Sequence, residues 1–346
     1  MNAKLWINGM RPKTLPASVA PVCVGAAAAL VHRAHLQTGS CRPDTGATGL
    51  ASGAGVSTGG WHGWLAGACD ASPGYLWIMF ILLVGLALCM QIAANFANDY
   101  SDGIRGTDAK RGDAEEISGK PRRLVASGIP PRTVFAAMVA AVVLTALFGL
   151  VLIALSGHWW MLLVGLACFA AGWFYTGGKH PYGYYGLGEV FVFIFFGLVA
   201  TQGSEYFMSG YDVAGLSLDG FLGACATGLN SVGLLMLNNY RDIESDRRSG
   251  KHTYATLVGD KAARISIYVV YAASLLLAIL EFAPVSWHFG SLTVPAVLIV
   301  IPIALCFAFI CRFFAQGKQP KAFVLAGQGT LLSALCWTLG LLLELV

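Results

Sequence analysis

Residues 237–253 read L-N-N-Y-R-D-I-E-S-D-R-R-S-G-K-H-T and directly follow an apolar run, residues 221–237, that is long enough to enter a membrane. Asn238, Asp242 and Asp246 are spaced i, i+4, i+8, which on a helix places an amide and two carboxylates on one face. Like charges one turn apart repel each other, and a hard divalent cation removes that penalty. The stretch therefore predicts a Mg²⁺ site or, as the alternative, a solvated helix end with ordinary ion pairs.

A second stretch, residues 95–108, has the same character and also lies where an apolar run ends. It reads N-F-A-N-D-Y-S-D-G-I-R-G-T-D, with Asp108 in a glycine-containing loop. Two of its pairs have the i, i+4 spacing, namely Asn98 with Asp102 and Asn95 with Asp99. Two Asn/Asp clusters, each at the mouth of a membrane segment, predict a shared site for two Mg²⁺ ions and a diphosphate.

Basic residues near both clusters predict the contacts to the diphosphate, because Arg binds phosphate oxygens through two parallel hydrogen bonds. The candidates are Lys120, Arg122, Arg123, Arg241 and Lys251. Tyr175 and Lys179 form a further i, i+4 pair at the end of an apolar run, and would hold the same diphosphate if the helix extends that far.

The composition predicts a membrane protein. Of the 346 residues, 56% are apolar and only 12% are charged, and the mean hydropathy is +0.66. A soluble domain carries about 25% charged residues.

We predict an all-α, polytopic chain that forms one domain over residues 1–346. Nine transmembrane spans are predicted, at 15–31, 76–97, 133–155, 159–176, 187–208, 219–239, 265–283, 292–311 and 323–343.

The distribution of Lys and Arg predicts the orientation in the membrane. With the N-terminus in the cytoplasm, 20 of the 22 basic residues fall on the inner side and only Arg33 and Arg42 fall outside. The C-terminus is then outside, and both Asn/Asp clusters face the cytoplasm. The first apolar run continues into a full span without a clear cleavage site, which favours a transmembrane helix over a signal peptide.

Three segments between the spans are polar. Residues 98–132 are predicted to be a cytoplasmic loop that covers the site as a lid, and residues 240–264 a second cytoplasmic loop. Residues 35–74 are rich in Gly, Ser, Thr and Ala and predict a flexible outer insert. Cys41 and Cys69 both fall in this insert, and their pairing as a disulfide is a hypothesis.

Two isolated charges have alternative interpretations. Glu189 begins an otherwise aromatic and aliphatic span, and a carboxylate at membrane depth indicates function by default. Near the interface, however, the same residue would serve as a helix N-terminal cap. Arg11, which precedes three prolines at the entry of the first span, is either a substrate contact or a positive-inside anchor.

Several motifs together resemble the UbiA superfamily of intramembrane prenyltransferases. They are R-P-K-T-L-P-A (11–17), N-D-Y-S-D-G-I-R-G-T-D (98–108), Y-T-G-G (175–178), G-L-G-E-V-F-V-F-I-F-F-G (186–197) and N-N-Y-R-D-I-E-S-D-R-R-S-G-K (238–251). The resemblance covers nearly the whole chain except residues 35–74. It implies nine helices bundled around a central cavity.

The resemblance also implies roles for single residues. The first Mg²⁺–diphosphate motif would comprise Asn98, Asp102 and Asp108, and the second Asn238, Asp242 and Asp246. Beyond the two motifs, we predict catalytic roles for Asp99, Asp102, Asp242 and Asp246, and substrate contacts for Arg11, Asn95, Glu189 and Asn239. One departure from the family pattern concerns Asp108, because the last Asp of the common first motif falls four residues after the middle one, where this chain has Gly106.

The narrower likeness is to the members that act on 1,4-dihydroxy-2-naphthoate. It implies Mg²⁺-dependent transfer of a polyprenyl group from its diphosphate to that acceptor, in the plasma membrane, with no nucleic acid as a partner. Other acceptors are the main alternative, namely 4-hydroxybenzoate, homogentisate, haem or a chlorophyllide. A transporter is a further alternative, but it would carry its polar residues at the midplane rather than at the cytoplasmic edge. A purely structural protein would leave the repeated Asn/Asp spacing unexplained.

Overall fold

The computed structural model describes residues 3–40, 73–105, 123–178, 181–209, 216–289 and 291–345. Eleven helices lie in these ranges. The two short ones are α1 (Ala3–Gly9) and α8 (Ile243–Ser249). The other nine are α2 (Pro16–Ser40), α3 (Pro73–Ile104), α4 (Pro131–Ser156), α5 (Met161–Thr176), α6 (Gly188–Ser209), α7 (Leu218–Arg241), α9 (Tyr254–Phe282), α10 (Ala296–Ala315) and α11 (Gln319–Leu342).

The predicted helical membrane architecture is confirmed. Within the described residues, eight helices are long and apolar enough to cross a membrane, and α5 is a shorter apolar helix of 16 residues. Each predicted span overlaps one of these nine helices. The predicted count of nine spans is approximate because α5 is shorter than the eight helices that are long enough to cross a membrane. Many large apolar side chains of α4, α5 and α9 are exposed, as expected for helices that face lipid.

Two local predictions are wrong. The predicted loop 240–264 is largely helical, because it contains α8 and the first turns of α9, where Gly259 interrupts the regular helix with φ 80° and ψ 169°. The predicted span start at residue 292 is instead part of an antiparallel hairpin of β1 (Ser286–Phe289) and β2 (Leu292–Pro295). Hydropathy does not distinguish a short apolar strand from the first turns of an apolar helix.

Close contacts between glycines and backbone hold α6 against α2 and α7. A Cβ atom at Gly25 would collide with the carbonyl oxygen of Thr201, and one at Gly197 would lie 2.6 Å from the Cα of Gly228. In lipid, such small residues let helices approach closely enough to associate by packing. These contacts fix the positions of α2, α6 and α7, which together bound one side of the cavity described below.

The middle of α6 is a π-helix, Phe193–Val199. A π-helix is a rare, wide turn that occurs frequently at functional sites. Here Phe195, Phe196 and Val199 line the cavity, so the irregular turn presents aromatic side chains to its interior.

Candidate active site

One large cavity, with a volume of about 960 Å³, connects the two Asn/Asp clusters. Its mouth is polar and its body is apolar. The mouth is bounded by the segment before α2 and by the ends of α3 and α7, and the body by side chains of α4, α5 and α6. Lining residues run from Thr176 to Met161, the full length of α5, which corresponds to about 24 Å.

The first cluster lies on the last turns of α3, which continues as a helix to Ile104. The predicted i, i+4 spacing of Asn98 and Asp102 is therefore confirmed as one helix face. Asn95, Asn98, Asp99 and Asp102 all line the cavity. Asp99 and Asp102 are almost fully buried, so each carboxylate requires a compensating partner.

Two arginines distant in sequence compensate Asp99. Arg11 donates to its Oδ1 at 2.7 Å and Arg123 donates to the same oxygen at 3.0 Å. The backbone N–H of Leu124 donates to Oδ2 at 3.2 Å. Both arginines also line the cavity. Asp99, for which a catalytic role was predicted, thus holds two guanidinium groups at the mouth.

The segment that carries Arg11 is fixed in an unusual conformation. Arg11 has φ 52°, in the left-handed region that non-glycine residues rarely adopt, and it precedes Pro12. The side-chain amide of Asn95 anchors this segment by donating to the carbonyl oxygen of Met10 at 2.8 Å. Such strain persists only where the surroundings hold it, and it concentrates at functional sites.

Asp102 binds Tyr184, for which the sequence predicted no role. The hydroxyl of Tyr184 donates to Asp102 Oδ1 at 2.6 Å, and Arg123 Nη1 lies 3.6 Å from Oδ2. Burial and the Asp102 carboxylate both raise the pKa of the Tyr184 hydroxyl above its ordinary value. The phenol therefore stays protonated and remains a donor at physiological pH.

Tyr184 also contacts the chain that follows the second cluster. Its carbonyl oxygen accepts from the N–H of His252 at 3.1 Å, next to a parallel bridge between Tyr185 and His252. The ammonium of Lys251 lies 4.8 Å from the centre of the Tyr184 ring, and the guanidinium of Arg105 lies 5.1 Å from it. Tyr184 thereby joins the ends of the two acidic clusters.

The second cluster differs from its prediction because α7 ends at Arg241. Asp242 sits at a break with φ −97° and ψ 3°, and α8 begins after it. Asn238 and Asp242 line the cavity, whereas Asp246 is buried but is not among the lining residues. The prediction that all three share the face of one continuous helix is therefore wrong, since the chain turns at Asp242.

Arg241 binds both cavity-lining members of the second cluster. Its Nη2 donates to Asn238 Oδ1 at 2.6 Å and its Nε donates to Asp242 Oδ1 at 3.2 Å. The guanidinium also lies over the Phe323 ring, 5.3 Å from its centre. The side-chain oxygens of Asn238 and Asp242 therefore both bind the guanidinium group of Arg241.

The remaining predicted residues fall into three groups. Tyr175, Asn239 and Lys251 line the cavity. Glu189 is buried behind it, where its Oε1 accepts from the Asn239 amide at 3.0 Å, so any effect on a substrate acts through Asn239. Predictions for Asp108, Lys120, Arg122, Lys179, Cys41 and Cys69 lie outside the described residues.

Comparison with known proteins identifies the family. The family model described as "UbiA prenyltransferase family" matches residues 51–339. The chain belongs to the UbiA prenyltransferase family. The proposed roles of single site residues remain predictions, because the family match concerns the chain as a whole.

Several bacterial relatives of this UbiA family member share one name. A Mycobacterium tuberculosis protein named 1,4-dihydroxy-2-naphthoate octaprenyltransferase is 34% identical over 337 residues, which cover 96% of this chain and 94% of the relative. A Mycobacterium leprae protein of the same name is 37% identical over 284 residues, covering 82% and 79%.

A UbiA homologue from Archaeoglobus fulgidus, solved bound to GPP and Mg²⁺, superposes with a TM-score of 0.56. The superposition covers 99% of this chain and 100% of that one, at 15% sequence identity. At this level of identity the likeness supports the fold alone.

Proposed function

We propose that this UbiA family member transfers a polyprenyl group from a polyprenyl diphosphate to 1,4-dihydroxy-2-naphthoate. The products are CO₂, diphosphate and a prenylated 1,4-naphthohydroquinone, which a separate two-electron oxidation, outside this reaction, converts to demethylmenaquinone. The names of the relatives support the choice of acceptor. One observation carries the proposal, namely a single cavity with a cationic and acidic mouth and an apolar body that follows the whole of α5.

The cavity is chemically matched to an amphiphilic donor. A diphosphate requires cations, and Arg11, Arg123, Arg241 and Lys251 supply them at the mouth. A polyprenyl chain requires an apolar enclosure, and Leu150, Leu162 and Leu166 line the cavity although each is exposed on the protein surface. We infer that the cavity opens sideways between α4 and α5, which would let a long prenyl tail extend into lipid.

The donor atoms at the mouth fit Mg²⁺. Asn98, Asp102, Asn238 and Asp242 provide amide and carboxylate oxygens, the hard ligands that Mg²⁺ prefers together with phosphate and water. In the described ranges no group of three or more His, Cys, Asp or Glu side chains is arranged to hold a metal alone. The guanidinium of Arg241 already joins Asn238 and Asp242, which is evidence that this pair of oxygens favours a cation. When bound, the metal would neutralise the charge that develops on the leaving diphosphate.

The protein groups have separate tasks in this reaction. Arg123, Arg241 and Lys251 would bind the diphosphate oxygens and stabilise them as the allylic C–O bond breaks. Asp99 would act as a positioning residue, because it orients Arg11 and Arg123. The aromatic and aliphatic walls would exclude water, which otherwise captures the allylic cation. The electron-rich carbon that bears the carboxylate attacks this cation, and the ring regains aromaticity as CO₂ leaves.

Further features of the proposal concern the setting. We propose that residues 1–346 act as one domain in the plasma membrane, with the N-terminus and the cavity mouth in the cytoplasm and the C-terminus outside. The excess of Lys and Arg on the mouth side supports this orientation. Cysteine accessibility at each terminus in sealed vesicles tests it.

A direct assay tests the function. Purified protein in lipid nanodiscs is incubated with Mg²⁺, farnesyl diphosphate and, in separate reactions, 1,4-dihydroxy-2-naphthoate, 4-hydroxybenzoate or homogentisate. We expect prenylated product and equimolar CO₂ from the naphthoate, and a loss of turnover with EDTA that Mg²⁺ restores. Preferential turnover of another acceptor would overturn the assignment of the naphthoate.

A further inference from the structure

A buried hydroxyl deep in the cavity has no partner among the residues that the structure describes. Ser231 on α7 is 4% exposed, its Oγ makes no hydrogen bond, and the residue lines the cavity. A buried polar group without a partner is unfavourable unless a ligand or water satisfies it. Ser231 therefore marks a position where the cavity offers a hydrogen bond.

Two other buried hydroxyls in the cavity wall are satisfied by their own helix. Thr145 donates to the carbonyl oxygen of Ala141 at 2.8 Å, and Ser204 to that of Ala200 at 2.7 Å, although both residues also line the cavity. This i−4 bond is the usual solution for Ser and Thr in a helix. Thr176 also has an unpartnered hydroxyl in the cavity wall, but it lies at the mouth, at the end of α5.

The depth of Ser231 restricts which substrate group could reach it. Ser231 precedes Asn238 by seven residues on α7, so it lies about 10 Å further into the cavity. Gln91 precedes Asn98 by the same seven residues on α3 and also lines the cavity, with its amide nitrogen donating to Asn95 Oδ1 at 3.2 Å. Ser231 on α7 and Gln91 on α3 thus each lie two helical turns below the cluster of their own helix.

Neither part of the prenyl donor suits this position. The tail is a hydrocarbon and has no hydrogen-bonding atom, while the diphosphate matches the cations of the mouth. The reacting ring must approach the first carbon of the donor to about 3–3.5 Å, which puts the ring inside the cavity, below the diphosphate. A polar substituent on that ring is the remaining candidate.

We propose that the Ser231 hydroxyl forms a hydrogen bond with an oxygen substituent of the aromatic acceptor, and that Gln91 provides the polar surface at the same depth on α3. The inference rests on the proposed function and deepens it, because it assigns acceptor selectivity to α7. The ligand class is a phenolic aromatic acid. An acceptor without a hydroxyl or carboxylate oxygen at this position would leave Ser231 unpaired.

The test compares Ser231→Ala with the wild-type protein and with Thr330→Val. Thr330 is buried on α11, does not line the cavity and donates to Ala326 at 2.9 Å, so its variant removes a hydroxyl remote from the site. For Ser231→Ala we expect the KM and the dissociation constant for 1,4-dihydroxy-2-naphthoate to rise about 5- to 20-fold. The KM for farnesyl diphosphate should change less than 2-fold, and the melting temperature should not fall.

The melting temperature separates recognition from structure. Removing an unpaired buried hydroxyl does not weaken the ligand-free protein, whereas removing a hydroxyl that supports the fold does. Ser231→Cys, which is similar in size but a weak donor, should show the same selective loss. An unchanged acceptor KM, a raised donor KM or a lower melting temperature in both variants would overturn the inference. Wild-type turnover of the naphthoate, measured first, separately tests the proposed function.

Discussion

Replacing Tyr184 by Phe removes one hydroxyl and keeps the aromatic ring beneath Lys251 and Arg105. The lost hydrogen bond joins Tyr184 to Asp102 Oδ1 at 2.6 Å. Hydrogen bonds to charged groups contribute about 1.5–3 kcal/mol. Arg123 stays 3.6 Å from the other Asp102 oxygen and partly compensates, so we take the lower end of this range. At about 1.4 kcal/mol for each factor of ten, the expected fall in kcat/KM for the prenyl diphosphate is about 10- to 30-fold.

The pH dependence of this variant follows from the raised pKa of Tyr184. A group whose pKa is higher in the folded state contributes its full stabilisation below the unfolded pKa, which is about 10 for Tyr. The contribution disappears only as the pH rises through the folded value. The ratio of wild-type to Tyr184→Phe activity should therefore be constant between about pH 6 and pH 9.

A matched control exists on α7. Tyr240→Phe also removes a Tyr-to-Asp hydrogen bond, to Asp260 Oδ1 at 2.5 Å, but Tyr240 does not line the cavity. Initial rates at varied Mg²⁺ and farnesyl diphosphate, together with calorimetric binding of inorganic diphosphate, compare the two variants. We expect Tyr184→Phe to weaken both diphosphate binding and Mg²⁺ activation. Equal behaviour of the two variants would refute a positioning role for Tyr184.

Three further predictions address the site and the packing. Asp102→Ala and Asp242→Ala should each lower product formation by at least about 10³-fold while the protein still inserts normally into the membrane. The control Asp219→Asn, away from the cavity, should retain activity. Retained turnover by either alanine variant would contradict the two-cluster site. Gly25→Ala should destabilise the protein by about 1–3 kcal/mol because of the collision with Thr201, whereas Gly165→Ala, which has nothing within 4 Å, should not, as measured by thermal unfolding. Gly165→Phe should fill the apolar body of the cavity and reduce turnover of long prenyl diphosphates more than that of geranyl diphosphate, and an equal loss for all chain lengths would argue against this path for the tail.

Hydropathy and spacing were sufficient to predict the approximate positions of the nine long helices and of the two clusters. A run of about 20 apolar residues has few alternatives in a chain with so few charges, because every backbone polar group must be satisfied within the membrane. The i, i+4 pairing of Asn98 and Asp102 also follows from helix geometry alone. The break at Asp242 does not, since nothing in N-N-Y-R-D-I-E-S-D marks the end of a helix.

Pairings between distant residues were inaccessible from the sequence. Asp99 was predicted to be catalytic, but its partners Arg11 and Arg123 are 88 and 24 residues away in the sequence. Tyr184 stands among several tyrosines of P-Y-G-Y-Y-G, and only the fold selects the one that reaches Asp102. Ser231 lies in a span of small residues, where the default interpretation is helix packing.

The cost of charge in lipid accounts for the arrangement of the whole cavity. A charged side chain near the bilayer centre is unfavourable by several kcal/mol, whereas at the interface it keeps contact with water or with an opposite charge. The charged residues that line this cavity are concentrated near its mouth, where Asp99 is compensated by two arginines and Asp242 by Arg241. A diphosphate follows the same rule and must remain at that end, while a hydrocarbon tail gains by entering the apolar body. The C–O bond that breaks joins the diphosphate to the hydrocarbon tail. Because the diphosphate stays at the mouth and the tail enters the apolar body, this bond is placed at the acidic mouth before any residue acts on it.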